Sequence, residues 1–196
     1  ISTLPQLEKL WATRLRTDLD AEVDDDGQFL PVPGAISALT SLTFLHLARG
    51  PILPAIPQLP ALRHAELIAP DLGTGAAAGW RLPDGPWLRN LVALSIMGAE
   101  LGSVEAALQH ATGLSTLSIV ACPHLKLTRE ELLLLLRLPL TRLVLGKQPD
   151  YMDDEWLEPW DEESLWVVEE LRSALALRGP DVYFDFNTDD VLFLPD

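Results

Sequence analysis

The chain has 196 residues, of which 48% are hydrophobic and 22% charged, the balance of an ordinary folded protein. Its formal charge is −15, from 14 Lys and Arg against 29 acids, which speaks against a surface built to neutralise a phosphate backbone and so against nucleic-acid binding. The Leu-rich stretch Glu131–Leu140 is cut by Arg137 and Pro139, so no apolar run reaches the ~18 residues of a bilayer-crossing helix and no membrane insertion is expected.

The first element is a short alternating run, Leu7, Leu10, Ala12 and Leu15 in "LEKLWATRL". It is followed by residues 18–34, rich in acids, Gly and Pro, which read as a loop insertion. The next run, "SLTFLHLARGPI", spaces Leu42, Leu45, Leu47 and Ile52 as L-x-x-L-x-L, neither the 3 and 4 spacing of a helix nor the plain alternation of a lone strand. The same offsets return at Leu62, Ala65, Leu67, then at Leu91, Leu94, Ile96. Further copies follow at Leu114, Leu117, Ile119 and at Leu140, Leu143, Leu145. Strands are therefore expected to centre near Leu45, Ala65, Leu94, Leu117, Leu143 and Phe184, parallel and in sequence order.

The links between them differ. "LPAIPQLPA" holds Pro54, Pro57 and Pro60, which deny a helix its backbone donors and predict an extended or 3₁₀ path. Residues 73–87 read as a second loop insertion. "SVEAALQHA" predicts a short helix after Ser103, and "TREELLLLLRL" a longer one opened by a capping box of Thr128 and Glu131. The segment 149–163 mixes acids with Tyr151, Trp156 and Trp160, and its rings are expected either on the flank of the fold or on a partner. Residues 161–196 predict a capping helix and a last strand, with Leu165, Val168, Leu171 and Leu175 on the buried face of the helix.

Five copies that agree at most of their positions resemble a leucine-rich repeat protein along nearly the whole chain. The resemblance implies an α/β solenoid: one domain over 1–196, a parallel concave sheet, and a convex side mixing helices with extended links. The ladder position holds Gly50, Pro70, Ala99, Cys122 and Gln148; "SIVACPHLKLTREEL" is similar to the cysteine-containing repeats of F-box substrate receptors. Ile1 opens almost directly on a repeat, so the chain reads as part of a longer protein. The single cysteine and the absence of an N-x-[ST] sequon favour an intracellular setting over a secreted one.

Such a fold implies a protein-interaction module, a scaffold whose partner is a protein or peptide held on the concave face. Alternation sends outward the residues between the core leucines: Trp11, Arg14, Phe44, His46, Arg49, His64, Glu66, Arg142 and Lys147 are the candidate partner-binding residues. Exposed aromatics beside Arg are the residue types enriched at interface hot spots. Alternatives are the substrate-recognition part of a ubiquitin ligase, a structural subunit of a large assembly, or an acidic chaperone for basic clients. His46 and His64 lack a third ligand for a metal. "DLDAEVDDDG" has Val23 where a calcium loop needs Gly. With no nucleophile–base set and no phosphate loop, neither enzyme nor cofactor is expected.

Overall fold

The computed structural model describes residues 6–13, 39–48, 56–69, 82, 85–99, 101, 103–122, 125–146, 160–179 and 181–186. Seven short strands form one parallel sheet in strict sequence order: β1 (Lys9–Thr13), β2 (Phe44–Ala48), β3 (His64–Ile68), β4 (Ala93–Met97), β5 (Thr116–Val120), β6 (Arg142–Gly146) and β7 (Tyr183–Phe186). The register repeats without slippage, so Leu45, Ala65, Leu94, Leu117, Leu143 and Phe184 lie in one row across the sheet. This is an α/β solenoid of the leucine-rich repeat type, with its strands where the repeats place them.

Register is held from both sides. The L-x-L pair of each unit points to one face, and a one-residue slip would turn the whole set outward. Leu45, Leu62, Leu67, Leu91, Leu94, Ile96, Leu117, Ile119, Leu143 and Leu145 are all buried in one continuous core. At the entrance to the strands, two successive amides share one carbonyl of the preceding unit, as Ser115 and Thr116 donate to Val92 O and Thr141 and Arg142 donate to Ser115 O. Thr43, Ser115 and Thr141 add hydroxyl bonds to the same carbonyls, at 3.1, 3.1 and 3.2 Å. These hydroxyls share one offset, directly after Leu42, Leu114 and Leu140, and the repeat pattern alone gave them no role.

The layer behind the sheet changes along the chain. The proline-rich link forms a 3₁₀ turn at Ile56–Gln58, and Pro86–Asn90 forms another. This second turn overlaps the end of the segment read as an insertion, because Trp87 and Leu88 are fully buried in the core. From there α-helices take over: α1 (Val104–Leu108), α2 (Arg129–Arg137) and α3 (Glu162–Ala176). Asp161 caps α3, accepting from Ser164 N at 2.8 Å.

One expectation about α3 is corrected. Leu165 does not line the buried face; it is 44% exposed, while Val168, Leu171 and Leu175 are buried there together with Ser164 and Val167. The helix is turned so that Ser164 Oγ accepts from Leu127 N at 3.0 Å, pairing a buried backbone donor that a leucine would leave unmade. Trp160 is buried with its ring 5.4 Å from Phe186, so the last ring of the acidic aromatic segment packs on the last strand. Residues 149–159 of that segment, residues 18–34, and most of 73–87 lie outside the described residues.

Candidate interaction surface

The sheet has two unlike faces. Behind it lies the core; on the other side, alternation and register lay the remaining strand residues out in rows running across the strands. The first row reads Lys9, Phe44, His64, Ala93, Thr116, Arg142 and Tyr183; the next reads Trp11, His46, Glu66, Ser95, Ser118, Val144 and Asp185. Six predicted partner-binding residues fall in these two rows: Trp11, Phe44, His46, His64, Glu66 and Arg142. Arg14, Arg49 and Lys147 lie outside the described residues.

At the β1 end the first two rows form an aromatic cluster. Trp11 is 57% exposed, its ring is 4.7 Å from that of Phe44, and Phe44 lies 6.4 Å from His64. Lys9 Nζ stands 5.9 Å over the Trp11 ring. His46 Nδ1 donates to Glu66 Oε2 at 2.7 Å. A carboxylate offers only acceptors, so Nδ1 carries the proton and the tautomer is set by this bond. His46 and Glu66 occupy the same offset in adjacent copies, so the pairing was visible in the aligned repeats once the strands were known to be neighbours.

At the β6 end Arg142 is different. Its guanidinium lies 5.1 Å over the Tyr183 ring, and its Nε is buried without a hydrogen-bond partner. The acids on this face are already engaged, Glu66 with His46 and Asp185 Oδ2 with Tyr183 Oη at 3.0 Å. Among the described residues of the face the bases Lys9 and Arg142 therefore meet aromatic rings and no carboxylate.

The face is not open along the whole length of its strands. Met97, Val120, Ala121 and Val144 form a second buried apolar cluster with Ile68 against it, and Ser118 and Ala48 are buried too. The accessible part is thus the N-terminal ends of the strands, above all on β1 to β3, with Ala93 at the start of β4 buried. At the opposite ends, Gly98 (φ 72) and Ala121 (φ 53) hold equivalent left-handed positions after β4 and β5, a conformation that favours glycine.

Two further ionisable groups are structural. Cys122 is buried, and burial pushes its thiol up to about 12, against a downward pull from the backbone of Ala99 and Gly98. It reaches the turn of the preceding unit, as its ladder position implies. Glu131 is buried at the junction of α1 and α2, where Oε1 accepts from Ser103 Oγ at 2.7 Å and Oε2 from Thr128 N at 2.9 Å. Burial alone would raise this carboxyl, but hydrogen bonds from Thr128, Ser103 and the local backbone outweigh it and hold it below its ordinary value. Among the described residues no three His, Cys, Asp or Glu gather as a metal would require, and no helix is long and apolar enough to cross a membrane.

No protein-family model matches the chain, and no curated protein matches it. Among solved structures it is similar to the functional domain of InlJ from Listeria monocytogenes, which includes a cysteine ladder. The identity is 16% and the TM-score 0.46, over 78% of this chain and 38% of that one. The chain thus spans well under two thirds of that structure.

Proposed function

We propose that the protein is an interaction module that binds a protein or peptide across the N-terminal strand ends of its sheet. The observation that carries this reading is the exposed Trp11 ring set against half-buried Phe44, with ring centroids 4.7 Å apart, on the one sheet face that the core does not consume. A large ring left in water is costly unless something covers it, and rings stacked on a rigid strand lose little freedom when a partner arrives. The bonded His46–Glu66 pair beside them gives a preset polar rim. Small residues further along the rows, Ala93, Ser95 and Thr116, leave room for an extended chain.

The test compares binding partners recovered by affinity purification with three forms of the protein. The form carrying Trp11→Ala and Phe44→Ala should lose what the parent retains. A form with Asp24→Asn, Asp25→Asn and Asp26→Asn should keep it. The reverse result would move the function to the acidic segment and favour the reading as a chaperone for basic clients.

A further inference from the structure

Arg142 combines three observations that no packing role explains. Its Nε is buried with no hydrogen-bond partner, in a chain with 29 acids to supply one. Its guanidinium is held 5.1 Å over the Tyr183 ring, which fixes the planar fork in place. The described acids of this face, Glu66 and Asp185, are bonded to His46 and Tyr183 instead. A carboxylate cannot reach the buried Nε, so the fork that receives it is the pair of terminal nitrogens, and its charge offsets the cost of holding the guanidinium half-buried and unpaired.

We infer that Arg142 is a carboxylate anchor for an acidic peptide segment, and that this segment also seats an apolar side chain on Trp11 and Phe44. The inference rests on the interaction surface proposed above and specifies its occupant. Phe44 and Arg142 lie in one row, four strand steps apart. At about 4.8 Å per step that is roughly 19 Å, the span of about six extended residues. Between them stand His64, Ala93 and Thr116; beyond the His64 ring, Ala93 and Thr116 are small enough for the segment to cross. The partner motif is thus an aromatic or aliphatic residue and an Asp or Glu about six positions away. A polyanion such as nucleic acid would meet the field of a −15 chain with one fork to hold it; a single carboxylate needs no more.

The experiment selects displayed random dodecapeptides against the parent protein, Arg142→Gln and Phe44→Ala in parallel. The parent should enrich an acid at the stated distance from an apolar residue. A synthetic peptide of the enriched sequence should bind the parent roughly tenfold more tightly than its Asp→Asn form, and Arg142→Gln should erase that difference. Recovery of no acid, equal binding of the Asp and Asn peptides, or no enrichment at all overturns the inference. The peptide change leaves the protein untouched, so this result stands whether or not Arg142→Gln folds well. If acids are not enriched but the apolar residue is lost on Phe44→Ala, the anchor is wrong and the surface right. If Phe44→Ala recovers the parent's sequences, the surface itself is wrong. Concentration-dependent dimerisation that Arg142→Gln abolishes would make the occupant a second copy and also overturn the proposal.

Discussion

Leu117 is fully buried with Leu94 and Leu143 as its register partners, so nothing can move into the space its side chain leaves. Leu117→Ala should cost roughly 2–5 kcal/mol in urea unfolding; a midpoint unchanged from the parent would refute the register. Cys122 makes the opposite kind of statement, because its burial shows in reactivity. A thiol pushed up to about 12 holds almost no thiolate at pH 8, so a thiol reagent should label it only as fast as the protein opens. The sign with pH follows from the raised value. Below its ordinary 9.0 the thiol is neutral in both states and changes nothing. Between 9.0 and about 12 the unfolded thiol ionises and the folded one does not, so stability falls. Cys122→Ser should flatten that part of an alkaline stability profile.

At the scale of the element, α1, α2 and α3 are tied together by polar side chains that local patterning marks only in part. Thr128 and Glu131 form the expected capping box, yet Glu131 also receives Ser103 from the unit before, so one carboxylate closes two helix starts. Its value is depressed by those bonds. The stability it contributes is therefore present above the ordinary carboxylate range and lost as pH falls through the folded value. Glu131→Gln should be destabilised by about 1–3 kcal/mol at neutral pH and should converge with the parent in acid. A constant gap across an acid titration would contradict this account. At the other ends Arg178, just after α3, donates to Leu138 O at 2.8 Å and to Leu136 O, bringing a positive charge to the carbonyl end of α2. Arg178→Ala should lower stability by roughly 1 kcal/mol, and amide exchange should quicken in the last turn of α2 while β2 and β3 are unaffected.

For the whole molecule, each unit touches mainly its neighbours, and the seven strands follow one another without a crossover. Energies in such a stack should add over distance and couple at contact. Leu45→Ala on β2 and Leu143→Ala on β6 are four strand steps apart and should combine within about 0.5 kcal/mol. Leu117→Ala with Leu143→Ala, direct register partners, should deviate from additivity by more. Equal coupling in both double variants would mean that the stack unfolds through contacts other than those of its sheet.

The amino-acid sequence determined the stack by itself. Repeated L-x-x-L-x-L offsets specify strand, face and register together, since one slip exposes every core residue; prolines in Leu53–Ala61 exclude a helix there without choosing between an extended and a 3₁₀ path, and the capping box at Thr128 specifies a helix. What the tertiary structure decided depends on residues far apart in the chain. Ser164 displaces Leu165 from the buried face because Leu127, 37 residues earlier, needs a partner. His46 is tied to Glu66 across 20 residues, and Met97, Val120 and Val144 close one end of a face that alternation alone would leave open. Arg142 is set apart by a tyrosine on the next strand. Periodicity reports which way a side chain points, whereas its neighbours on that side come from other units, and only the assembled sheet brings them together.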